Sequence, residues 1–204
     1  MMVDQQYFAQ APLSPSAPKP FTLNYLGRDF RFFTDSGVFS KGELDFGSKT
    51  LLSALPQDLK GSVLDLGCGW GVVGVIIGAL HPQAAVTLAD INARAVHLAR
   101  LNAQENHVPA QVGQSDGFAQ IRGSFDFIAF NPPIRAGKET VYRLLGECAQ
   151  HLRPCGALYV VMRKQQGAQS AAEFLKGIFA AVETVKRKGG YHVMKCSGGQ
   201  AHGV

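Results

Sequence analysis

From residue 61 onward, short strand-like runs, most of them apolar, alternate with longer stretches in which apolar residues recur at helical spacing. The short runs fall at 62–66, 85–90, 110–114, 125–130 and 157–162, and the longer stretches at 72–80, 93–106, 138–152 and 170–180. A strand-length apolar run bounded by turn residues suits a strand covered on both faces, and strands alternating with helices build parallel βαβ units. Asn92 is suited to cap the second helix, where Ala93, Val96, Ala99 or Arg100, and Ala103 recur on one face. Residues 182–187 and 191–196 flank Gly189-Gly190 and predict a closing antiparallel hairpin. The pattern predicts an α/β three-layer sandwich around a mostly parallel seven-stranded sheet with a C-terminal antiparallel hairpin.

Upstream, residues 21–25 and 30–34 are rich in aromatic and β-branched side chains around Leu26-Gly27-Arg28-Asp29, which predicts a small N-terminal hairpin. A glycine-bearing loop follows over 36–47, and Ser48 is expected to cap a short helix through Leu55, stopped by Pro56. Residues 9–20 hold four of the ten prolines and read as an extended segment. The expected organisation is a tail over 1–20, a hairpin and cap segment over 21–60, and a main domain over 61–204, with 21–204 one structural unit.

Composition narrows the class. At 204 residues, with 46% hydrophobic and 17% charged side chains, the chain can build one sizeable core, which excludes wholesale disorder. No apolar run reaches the roughly 20 residues that a bilayer-spanning helix needs. The amino terminus lacks the cationic stretch and apolar core of a secretory signal, so a cytoplasmic location is expected. Cys68, Cys148, Cys155 and Cys196 match no zinc spacing and read as free thiols, and the six histidines form no metal cluster, so no metal is expected. Residues 1–60 carry no net charge, 61–150 carry −1 and 151–204 carry +6. A basic region of that size attracts polyanions, of which nucleic acid is the commonest, or forms an ordinary solvated face.

Candidate chemistry sits where strands end. Asp65-Leu66-Gly67-Cys68-Gly69-Trp70-Gly71 runs from the first strand of the main domain into a helix, the position of a ligand loop in doubly wound sheets. Gly69 to Gly74 also spells G-x-G-x-x-G, and Asp90, 21 residues after Gly69, can accept both hydroxyls of an adenosine ribose, which fits NAD and S-adenosylmethionine equally. Two features favour S-adenosylmethionine. Asp65 can orient the loop or hold a methionine ammonium, and in Ser115-Asp116-Gly117-Phe118 the Asp116 carboxylate can accept an adenine amino group with Phe118 near the ring.

Residues 125–130 deliver Asn131-Pro132-Pro133-Ile134 to the same edge. Prolines offer carbonyls and no N–H, and Asn131 adds an amide oxygen, so the segment can present acceptors to a group with two N–H donors. Gripping both hydrogens of a planar amino group aims its lone pair at an electrophile. With an already activated sulfonium methyl, alignment then suffices and no nucleophilic His or Cys is needed.

DLGCGWG at 65–71, ADIN at 89–92, SDGF at 115–118 and NPPIRAGK at 131–138 resemble the class I methyltransferase small-domain family, nearest its bacterial 16S rRNA guanine-N2 methyltransferases. GVFS at 37–40 and LDFGS at 44–48 extend the likeness upstream. The resemblance implies a Rossmann-like class I methyltransferase fold, S-adenosylmethionine as cofactor, and 16S ribosomal RNA or the small ribosomal subunit as partner. It implies that Asp65, Gly67, Gly69 and Gly71 hold the methionine part. Asp90, Ile91 and Asn92 would surround the ribose and adenine, with Asp116 and Gly117 on the adenine. Asn131, Pro132 and Pro133 would be catalytic in gripping the amino group, Phe39, Ser40 and Asn131 would also touch the cofactor, and Phe39, Ser40, Asp45 and Ser48 would close the pocket. Substrate docking falls to the N-terminal segment and to basic residues such as Arg153, Arg163, Lys164, Lys186, Arg187 and Lys188. The alternatives are transfer to another amine, such as protein glutamine or another RNA or DNA base, an NAD-dependent oxidoreductase, and a non-catalytic RNA-binding module.

Overall fold

The computed structural model describes residues 16–36, 38 and 42–199. A hairpin of β1 (Lys19–Tyr25) and β2 (Arg28–Thr34) precedes α1 (Phe46–Leu52). The main domain follows as β3 (Gly61–Leu66), α2 (Val72–Leu80), β4 (Ala84–Asp90), α3 (Ala93–Glu105), β5 (Ala110–Gln114), β6 (Phe125–Phe130), α4 (Lys138–Gln150), β7 (Leu152–Arg163), α5 (Ala168–Lys176), β8 (Phe179–Lys188) and β9 (Tyr191–Gly199). The seven-stranded sheet runs β5-β4-β3-β6-β7-β9-β8, with β9 antiparallel to both β7 and β8. Alternate residues of the central strands feed two cores: Val63, Ala129 and Tyr159 pack with α1, α2, α3 and the hairpin, and Leu64, Ile128 and Leu158 pack with α4 and α5. Three layers result, as the periodicity predicts.

Several boundaries differ from the expected ones. Asp45, not Ser48, caps α1: its carboxylate accepts from the Ser48 N–H at 3.1 Å, and the helix ends at Leu52 rather than Leu55, where Ala54 and Leu55 close tighter three-residue bonds. Helix α4 stops at Gln150 because β7 already begins at Leu152, paired with Phe125; the Pro154–Gly156 stretch then forms an irregularity before regular pairing resumes at Ala157. Helix α5 spans Ala168–Lys176 rather than 170–180, since Phe179 is buried in the second core as the first residue of β8. In α3, Ala93 and Arg100 face solvent, and Ala95, Val96, Leu98, Ala99, Asn102 and Ala103 form the inner stripe behind the expected Asn92 cap. Lys19 and Pro20, read as the end of a tail, belong to β1.

The hairpin is fastened to the main domain by two asparagines one helical turn apart. Asn102 on α3 accepts from the Phe33 N–H at 2.7 Å and donates to the Phe33 and Trp70 carbonyls at 3.0 and 2.7 Å. Asn106 repeats the exchange with the N–H and C=O of Arg31 at 3.2 and 2.7 Å. Their amides thus stand in for a neighbouring strand along β2. Because Asn102 is fully buried, Asn102→Ala leaves three backbone groups without partners. We expect about 2–4 kcal/mol of lost stability in chemical denaturation, against less than about 1 kcal/mol for the more exposed Asn106→Ala.

Candidate functional site

Strand order reverses between β4 and β6 on either side of β3, so the loops after β3, β4 and β6 leave from one edge on opposite sides of a crevice. Gly67, Gly69 and Gly71 in the first loop have φ of +64°, +56° and +87°, which only glycine adopts without strain. Their surroundings divide them by role. A side chain on Gly71 would lie 3.0 Å from Ala99, whereas one on Gly69 would meet nothing and one on Gly67 only Phe130 at 3.9 Å. Gly71 allows α2 to close on α3, and Gly67 and Gly69 line the open side. Trp70 points the other way, 2% exposed and wedged edge-on between Phe21 and Phe32 of the hairpin at 5.4 and 5.0 Å.

A buried carboxylate, Asp65, and a half-buried one, Asp90, hold this loop. Asp65 Oδ2 accepts from the Gly74 N–H in the first turn of α2 at 2.8 Å. Asp90 Oδ2 accepts from the Gly69 N–H at 2.8 Å, and its Oδ1 accepts from the Asn92 N–H at 2.9 Å. Burial pushes Asp65 up to about 7, the Gly74 bond opposes that, and the nearby Asp90 adds to it. Burial likewise raises Asp90. A positive charge beside the pair would favour both ionised forms. Asp65 also sets its carboxyl group at the helix N-terminus, where a dinucleotide pyrophosphate would otherwise sit.

Asn131 leaves the end of β6 on the far side of the crevice. Its Nδ2 donates to Ser48 Oγ at 3.1 Å and Asp45 Oδ1 at 3.4 Å. A carboxylate only accepts, so Asp45 fixes which end of the amide faces α1 and leaves Asn131 Oδ1 as the outward acceptor. Asp45 and Ser48 therefore aim Asn131. The prolines depart from the expected row of free carbonyls: the Pro132 carbonyl accepts from the Ile134 N–H at 2.9 Å, and the Pro133 carbonyl accepts from the Ala136 N–H at 2.8 Å to open a short 3-10 turn over Ile134–Ala136. Both prolines stiffen the segment, and Asn131 supplies the acceptor not committed to that turn.

The remaining predicted residues sit around the same edge with different surroundings. Asn92 caps α3, Ile91 accepts from Gln114 Nε2 through its carbonyl at 2.9 Å, and Asp116 pairs with Arg143 at 2.7 Å. Gly117, at φ +55°, is where Leu144 and Glu147 of α4 close on the loop. Phe118 is 6% exposed and stacked on His151 with ring centroids 4.1 Å apart. Phe39 and Ser40 lie outside the described residues. Arg153 leaves the expected docking set: it stands at the opposite end of β7 and pairs with Asp126 at 2.8 Å. Arg163 and Lys164 follow that strand's other end, and Lys186, Arg187 and Lys188 lead into the adjoining β8–β9 turn. Among the described residues none of these five has a carboxylate within 4.0 Å. Burial lowers the His192 pKa, and the neighbouring Arg187 and Lys164 lower it further. Residues missed by the sequence reading are Asn102, Asn106, Phe46 and Tyr191, whose placement depends on long-range packing.

The methyltransferase small domain family matches residues 29–195. The uncharacterized protein YbxB of Bacillus subtilis (strain 168) is 36% identical, across 95% of this chain and 98% of its own. Ribosomal RNA small subunit methyltransferase C of Pasteurella multocida (strain Pm70) is 44% identical across 65% of this chain and 42% of its own. Among solved structures, the T. thermophilus 16S rRNA N2 methyltransferase RsmC, in complex with AdoMet and guanosine, superposes with a TM-score of 0.81 at 27% identity, covering 91% of this chain and 52% of that one. The chain thus spans nearly all of YbxB and about half or less of the two named methyltransferases.

Proposed function

The chain belongs to the methyltransferase small domain family, and on that premise we propose that it uses S-adenosylmethionine to methylate the exocyclic N2 amino group of a guanine in 16S ribosomal RNA. The observation that carries this reading is Asn131, its N–H side tied to Ser48 and Asp45 and its carbonyl oxygen left for an amine, across the crevice from Asp65 and Asp90. S-adenosylmethionine supplies a methyl group already activated on a sulfonium centre. The residues present fit that cofactor: Gly67 and Gly69 leave room beside the loop, and the carboxylates of Asp65 and Asp90 favour a cationic ligand over a pyrophosphate.

In this reading Asp65 lies on the methionine side, Asp90 with Asn92 on the ribose side, and Asp116 and Gly117 border the adenine. Asn131 Oδ1 accepts one N–H of the incoming amino group and turns the nitrogen lone pair toward the methyl. The nitrogen becomes acidic only after transfer, so its proton passes to water without a dedicated base. Alignment of two held reactants supplies the rate. The guanine and the ribosomal substrate draw support from the named relatives, of which this chain spans only part.

The test is to incubate the protein with methyl-labelled S-adenosylmethionine, ribosomal RNA and small ribosomal subunits, then digest and identify the labelled nucleoside. N2-methylguanosine is expected. Cofactor binding without labelled RNA overturns the acceptor and makes protein glutamine the next one to try. Replacing Lys186, Arg187 and Lys188 by glutamine should weaken RNA binding across sequences and reduce the slope of log affinity against log salt by about one per cation removed, read from filter binding over a salt titration.

A further inference from the structure

We propose that Phe46 and Tyr191, flanked by Arg163, form the surface on which the acceptor base lies flat while Asn131 holds its amino group, an assignment that rests on the guanine chemistry proposed above. Phe46 opens α1, whose residues Gly47, Ser48, Thr50, Leu51 and Leu52 are all buried, yet it is itself 43% exposed. The other large hydrophobics exposed to that degree among the described residues, Leu26 and Val185, lie in the β1–β2 turn and in β8, away from the crevice. The rings of Phe46 and Tyr191 stand 5.6 Å apart, tilted at 41°, and the Arg163 guanidinium carbon lies over the Tyr191 ring, 5.9 Å from its centre.

Two glycines bring this pair to the amide. A side chain on Gly47 would come 3.1 Å from Tyr191 Cε1 and 3.4 Å from Asn131 Nδ2, so ring and amide are separated by little more than the width of one methyl group. A side chain on Gly189, in the β8–β9 turn, would run into the Phe46 ring. A purine held at Asn131 by its amino group is long enough to span that gap and reach the pair. Ile134, the residue after the prolines, is aliphatic and offers no ring. Aromatic faces beside Arg163 and Lys164 suit a nucleotide, with its π-face and phosphate, better than the side-chain amide of a protein glutamine.

The test uses 2-aminopurine riboside, a fluorescent purine with its amino group at the guanine position, whose emission falls when it stacks on an aromatic ring. With S-adenosylhomocysteine present, the unaltered protein should dim it, and Phe46→Leu and Tyr191→Leu should lose most of the dimming. The same variants should raise KM for RNA roughly tenfold, the scale of one lost base stack, while S-adenosylhomocysteine affinity measured by calorimetry stays unchanged. Phe46→Tyr and Tyr191→Phe, which keep a ring, should recover most of the loss. Leucine variants with unaltered dimming and KM overturn the ring pair alone. An unaltered protein that makes no N2-methylguanosine overturns the guanine chemistry, and the ring pair with it.

Discussion

Asn131→Ala should lower kcat for methyl transfer by roughly a hundredfold or more while the cofactor Kd stays within about twofold. The scale is that of removing one preorganised polar contact made in a transition state. The split between the two readouts follows from position: Asn131 bonds Ser48 and Asp45 across the crevice from the loop, whereas the loop is held by Asp65 and Asp90. Asn131→Asp sharpens the test, because its second oxygen would face Asp45 Oδ1, an acceptor where a donor is required. It should fail as badly as alanine despite near-identical shape. Ser48→Ala, which removes one of the two bonds that aim the amide, should cost roughly tenfold in kcat, consistent with one hydrogen bond's net contribution. Single-turnover transfer with calorimetric cofactor titration separates these effects. Full turnover in Asn131→Ala would falsify its assignment as the acceptor.

The layers, the strand edge and the order of motifs along it were legible because they follow from local pattern. A buried parallel strand reads as an apolar run, and 125–130 coincides with β6, whereas β5 at 110–114 is a partly exposed edge strand marked by its place between turns rather than by its hydrophobicity. Other features depend on partners distant in sequence. Ser48 is the cap that local pattern suggests, yet Asp45 caps α1, and the Ser48 hydroxyl instead accepts from Asn131, 83 positions away. Asn102 reads as an ordinary polar helix residue until β2 is placed beside it, 69 positions away. Phe118 ends at the right strand but packs inward, because His151 at the end of α4 offers it a stacking partner. The +6 segment could be counted but not mapped. Its cations separate when β7 is drawn through the sheet, with Arg153 at one end and Arg163 at the other.

Asp65 should make cofactor binding depend on pH. Burial raises its carboxyl from 3.8 to about 7, so the ligand-free protein favours the protonated form. The sign follows: the contribution of Asp65 to stability is greatest below about 3.8, falls as pH rises toward about 7, and is flat above that. A ligand bearing an ammonium and a sulfonium reverses the preference, since a nearby positive charge favours the carboxylate. Cofactor affinity should therefore rise with pH and level off above about 7, and binding below that point should release a proton. Asp65→Asn keeps an oxygen for the Gly74 N–H but carries no charge. It should bind the cofactor roughly ten- to a hundredfold more weakly at neutral pH, the scale of a lost hydrogen bond to a charged group. The proton release and most of the pH dependence should disappear with it, while the ligand-free variant loses less stability than the unaltered protein as pH rises. Calorimetry in two buffers of different ionisation enthalpy counts the protons directly. An unaltered protein whose affinity is flat across this range places the cation elsewhere and reduces Asp65 to a brace for the first turn of α2.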